Sequence, residues 1–90
     1  MAADQLLRHA LVSLEVNNDF SEATLVLADE SRLYFRHRVG ERTARASEPD
    51  SLGSPSQARQ ILETVARFRL NGKHLDILFA DGSRWEAPFR

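Results

Sequence analysis

The sequence predicts an α+β domain: a duplicated αββ unit whose four strands form one antiparallel sheet, with two helices packed on one face. Three observations predict it. Leu6, Leu7, Ala10, Leu11 and Leu14 recur at helical spacing, and Ala58, Ile61, Leu62, Val65, Ala66 and Phe68 form a second apolar face. Each run precedes two short strand-like segments joined by an Asp-containing turn. The segment Leu25-Val26-Leu27-Ala28-Asp29-Glu30-Ser31-Arg32-Leu33 also lies 52 positions before Ile77-Leu78-Phe79-Ala80-Asp81-Gly82-Ser83-Arg84-Trp85, with four identities and matching apolar positions. The helices align at an offset of 51, with Leu7, Ala10, Leu11 and Leu14 falling on Ala58, Ile61, Leu62 and Val65. One αββ unit is too small to bury its apolar face, so two cover each other. The units span 1–39 and 54–90, with a polar loop at 40–53, in a single domain over 1–90.

The first helix starts at Asp4, whose carboxylate suits an N-cap. Val12 and Val16 fall off its apolar face, and Val12, Leu14 and Val16 also alternate as a strand would. The helix is the favoured reading, with the strand as its competitor; Asn17-Asn18-Asp19 ends either one. Residues 23–28 read as a strand and Asp29-Glu30-Ser31 as a turn. Residues 32–39 then alternate, with Leu33, Phe35, His37 and Val39 on one side and Arg32, Tyr34, Arg36 and Arg38 on the other. Between Gly40 and Gly53 the chain is polar and aperiodic, which marks a loop.

Ser54-Pro55-Ser56-Gln57 reads as the second helix start: a serine cap, proline in the first turn and glutamine at the capping-box position. Asn71-Gly72 ends that helix. Leu75, Ile77 and Phe79 then alternate through a strand at 74–80. Asp81-Gly82 suits a tight hairpin turn, and Trp85, Ala87 and Phe89 point inward from the returning strand. Pro88 belongs on an edge or a strand end.

Charge is patchy although the net is −1. Residues 1–30 hold one arginine and six acidic residues, whereas 31–46 hold five arginines and one acidic residue. There is no cysteine, so disulfides and thiolate metal sites are excluded and a reducing, cytoplasmic setting is expected. His9, His37 and His74 share no metal-binding spacing, and the four glycines form no phosphate loop. No apolar run approaches the ~20 residues of a membrane span. Neither a metal, a membrane nor a cofactor is therefore expected, and no catalytic constellation stands out.

Two function classes remain. The favoured one is a non-enzymatic protein-interaction module whose partner is another protein or a second copy in a homodimer. Val26 and Leu78, apolar on the charged sheet face, are its candidate interface. The alternative is nucleic-acid or acidic-partner binding through residues 32–45. Arg32, Tyr34, Arg36 and Arg38 share a strand face there, and Arg42 and Arg45 continue it: guanidiniums for phosphates and a ring for stacking. A competing role for those arginines is ordinary cross-strand pairing with Asp76 and Glu86.

Overall fold

The computed structural model describes residues 2–49 and 54–89. The chain runs α1 (Ala3–Ala10), β1 (Leu11–Val16), β2 (Glu22–Leu27), β3 (Arg32–Arg38), β4 (Glu41–Ser47), α2 (Gln57–Leu62), β5 (Val65–Leu70), β6 (His74–Phe79), β7 (Arg84–Pro88). The strands form two antiparallel sheets, β1-β2-β3-β4 and β5-β6-β7. This corrects the expected αββ duplication with one four-stranded sheet beneath two helices. Through their first four elements, both halves instead follow the order helix, strand, strand, strand.

The error has a specific cause. Both helices end early, at Ala10 and Leu62, and the chain passes into a strand directly after α1 and after the two-residue turn Glu63-Thr64 following α2. Each of those strands carries a bulge near its start, with pairing register breaking between Leu11 and Ser13 and again between Val65 and Arg67. A bulge adds one residue, so positions i and i+3 share a face. Leu11 and Leu14, like Val65 and Phe68, therefore point to the same core while imitating helical spacing. The bulged Val12 is left 66% exposed.

The 40–53 loop is the second correction. Residues 41–47 are β4, and residues 50–53 lie outside the described residues. The hairpin from β3 turns through Val39 and Gly40, and Gly40 takes a φ of +79° that a side chain would resist. Only Ala44 and Ala46 reach inward from β4, too little apolar signal to mark a strand.

One continuous core holds the molecule together. Ala23, Leu25, Leu27, Leu33 and Phe35 from the first sheet meet Phe68, Leu70, Leu75, Ile77, Phe79 and Trp85 from the second. Ala3, Leu7 and Ala10 from α1 and Ala58 and Ile61 from α2 close it. The Phe35 and Phe68 rings, from β3 and β5, meet across the sheets at 4.9 Å between centroids and 58°.

Helices of eight and six residues are marginal by themselves. Their first turns are capped from the opposite half. The Ala3 N–H donates to Asp81 Oδ2 at 2.8 Å and the Asp4 N–H to Ser83 Oγ at 3.2 Å. Reciprocally, the Gln57 N–H donates to Asp29 Oδ2 at 2.8 Å and the Ala58 N–H to Ser31 Oγ at 3.0 Å. Within each turn the serine hydroxyl also donates to its aspartate. The recurring Asp-x-Ser of the sequence is thus a pair of exchanged caps. The expected caps are corrected accordingly. Asp4 lies inside α1 and pairs with Arg8, while Ser56, not Ser54, caps α2 by accepting from the Arg59 N–H at 3.1 Å.

These caps set an acid limit on stability. The Ser83 hydroxyl, then the Ala3 and Ser83 N–H groups, hold the Asp81 carboxyl down at about 2. At Asp29, burial pushes the carboxyl up, but hydrogen bonds from Gln57 and Ser31 outweigh it and the net shift is downward. A carboxyl lowered by folding stabilises the protein above its unfolded pKa, near 3.9, and loses that contribution as pH falls through the folded value. Thermal melts should therefore show the midpoint falling between about pH 4 and pH 2. Asp81→Asn should flatten that dependence, and an unchanged slope would mean that the cap carries none of it.

Candidate arginine-rich binding surface

Alternation along β3 places Arg32, Tyr34, Arg36 and Arg38 on the outer face of the four-stranded sheet, as the spacing implies. Their carboxylate partners are not Asp76 and Glu86, which lie in the other sheet. Arg36 donates to Glu22 Oε1 from Nε at 2.9 Å and from a terminal nitrogen at 2.5 Å, and it lies 3.6 Å from Glu41. Arg38 reaches the other Glu22 oxygen at 3.2 Å. The hydrogen bond from Arg36 holds the Glu22 carboxyl low, and Glu22 in turn raises Arg36. Arg45, cross-strand from Tyr34, lies 4.1 Å over its ring. One ring face therefore already carries a cation.

A depression of about 360 Å³ on this face is lined by Arg36 and Arg45 but also by Glu15 and Glu22. Its charges balance. Arg42 does not share the surface: it alternates in phase with Ala44 and Ala46, on the opposite side of β4 from Arg45, and stays exposed at the strand's start, where a terminal nitrogen lies 3.4 Å from His37 Nε2. His37 Nδ1 lies 3.0 Å from the Leu70 carbonyl. A carbonyl only accepts, so Nδ1 carries the proton and Nε2 accepts from Arg42. That short relay ties β3, β4 and β5 together.

Val26 and Leu78 are half-buried on the outer faces of different sheets and form no joint patch. Val26 sits between Ser13 and Arg32, and Leu78 between Arg67 and Arg84.

The helical spacing around Val65 and Phe68 hides Arg67 and Arg69 from the sequence. In β5 they alternate with the buried Phe68 and Leu70, so both guanidiniums point outward. The dipeptide repeat Arg-Phe-Arg-Leu was the signal that could have found them. Together with Arg42 and Arg84 they line a pocket of about 190 Å³ whose single carboxylate among the described residues is Asp76. Arg84 Nε is 3.3 Å from Asp76 Oδ1, close enough for an ion pair but not aligned as a hydrogen bond, so that buried oxygen has no hydrogen-bond partner among the described residues. No carboxylate of the described residues lies within 4.0 Å of Arg42, Arg67 or Arg69.

Beside this pocket runs a groove of about 270 Å³ between β4 and β5, lined by Arg42, Ala44, Leu62, Val65, Arg67 and Phe68. Each strand is the last of its sheet, so each presents an unpaired edge. Edge β7 is different. Its Phe89 N–H bonds back to Lys73, which turns the alternate position, Pro88, toward the open side where an N–H is missing anyway. The described residues hold no converging group of three or more His, Asp or Glu, and no described helix is long and apolar enough to cross a membrane. Comparison with protein-family models, curated proteins and solved structures finds no match for this chain.

Proposed function

We propose that this protein is a non-enzymatic interaction module that takes an extended, acidic segment of another protein into the groove between β4 and β5. One observation carries the reading: an apolar groove lies between two unpaired strand edges and is flanked by Arg42 and Arg67, neither of which has a carboxylate partner among the described residues. An extended segment bonds its backbone to such an edge and sets alternate side chains into the groove. Here Ala44, Val65 and Phe68 supply apolar contact, and the two guanidiniums select acidic residues. The cysteine-free sequence suits a cytoplasmic setting. A duplicated helix–three-strand unit belongs to the same reading, supported by the matched bulges and exchanged caps.

Nucleic-acid binding through residues 32–45 has weaker support. Arg36 and Arg38 are held by Glu22, and Tyr34 is covered by Arg45. Fluorescence anisotropy with a labelled peptide of alternating glutamate and valine tests the proposal. Binding should weaken with salt, and the Arg42→Glu/Arg67→Glu double variant should lose at least tenfold in affinity with its far-UV spectrum unchanged. Tighter binding of a single-stranded oligonucleotide would overturn the reading. So would a mass that doubles with concentration through this groove, since the occupant would then be a second copy.

A further inference from the structure

The geometry points to a second recognition element: we propose that Arg42, Arg67, Arg69 and Arg84 form a binding site for a phosphomonoester dianion. Four guanidiniums from three strands line one pocket against a single carboxylate among the described residues, and that carboxylate is engaged by Arg84. Like charges gathered this closely repel, and a bound anion removes the repulsion. Arg42 reaches the pocket from β4, with a terminal nitrogen 3.4 Å from His37 Nε2. Leu78 and Phe68 supply an apolar floor, where charge-assisted hydrogen bonds gain strength.

The chemistry favours phosphate over carboxylate. A carboxylate brings one charge and two oxygens, enough for one guanidinium fork. A phosphomonoester brings a charge of about −1.5 to −2 and three terminal oxygens. Three guanidiniums with no carboxylate partner among the described residues match the larger demand. Asp76, fixed in β6 between Arg69 and Glu86, keeps Arg84 turned into the pocket.

The pocket stands independently of the groove; only the source of the phosphoryl group rests on that reading. Arg42 and Arg67 line both depressions, so a segment lying in the groove would deliver a phosphorylated side chain to the pocket. A free phosphorylated metabolite is the other source.

Titration of the full chain with inorganic phosphate, followed through the arginine Nε–H NMR signals, is the test. Saturable shifts are expected at Arg42, Arg67, Arg69 and Arg84, beyond those given by chloride at equal ionic strength. Arg69→Gln should abolish saturation, and Arg69→Lys, which keeps the charge but loses the fork, should weaken it at least threefold. Shifts that match chloride, or that survive Arg69→Gln unchanged, overturn the site. A peptide arm separates the sources. A phosphoserine-bearing acidic peptide binding at least tenfold tighter than its unphosphorylated form assigns the phosphoryl group to the partner segment. Equal binding of both, with inorganic phosphate still saturating, assigns the site to free phosphate. Saturation by phosphate with no binding of either peptide leaves the pocket standing and removes the groove.

Discussion

Phe35→Ala should lower the thermal midpoint by roughly 15–30 °C, the largest single effect expected in this protein. Phe35 is 1% exposed, lies in β3 between Ala23 and Ala44, and meets Phe68 across the two sheets. Removing a buried phenyl ring costs about 3–5 kcal/mol, the lost transfer energy plus the cavity left behind. A chain of this length has a total stability of about 5–13 kcal/mol. At the lower end of that range the variant would be close to unfolding at 37 °C. Phe20→Ala serves as the contrast, since Phe20 stacks on Phe89 but is 38% exposed, and its loss should cost about 1 kcal/mol. Circular-dichroism melts check both. If the two variants melt alike, the sheets do not share the core described above.

Ser31→Ala should cost about 1–3 kcal/mol, although it removes a single oxygen. The Ser31 hydroxyl is fully buried, accepts from the Ala58 N–H and donates to Asp29. Alanine leaves the Ala58 N–H without an acceptor in a place water does not reach. Asp29, bereft of that donor, also holds the Gln57 N–H less well. The loss should be local before it is global. Amide exchange at Gln57 and Ala58 should quicken ahead of β2 and β3, whereas α1 should keep its rates. Ser83→Ala, at the half-buried equivalent position, should show the smaller effect on α1. Equal quickening throughout the chain would show that the caps do not act locally.

Much of the β structure was legible. The strands around Asp29-Glu30-Ser31 and Asp81-Gly82-Ser83 alternate cleanly, and both pair as antiparallel hairpins. The helix–strand junctions were not. A periodicity argument cannot separate a helix turn from a bulged strand when both bring i and i+3 to one face, and this happens at Leu11 and again at Val65. β4 was hidden for another reason: Glu41-Arg42-Thr43-Ala44-Arg45-Ala46-Ser47 buries only alanines, and its place is set by pairing with β3. The candidate site is obscured by both effects. Arg67 and Arg69 fall within the helical spacing, Arg42 falls within the aperiodic stretch, and the arginines that alternate most plainly, Arg36 and Arg38, are paired with Glu22.

The exchanged caps also dictate an order of events during folding. Asp29 and Ser31 precede the α2 amides they satisfy by 28 and 27 residues, so that cap lies upstream of the helix it serves. The groups that satisfy α1 lie 78 and 79 residues further along the chain. α1 is consequently capped only once the turn at residues 81–83 is in place, whereas the turn that caps α2 precedes it in the chain. Closing so large a loop places this step late, among the slow non-local contacts of the fold. A chain truncated before Asp81 therefore lacks both groups that cap the first turn of α1.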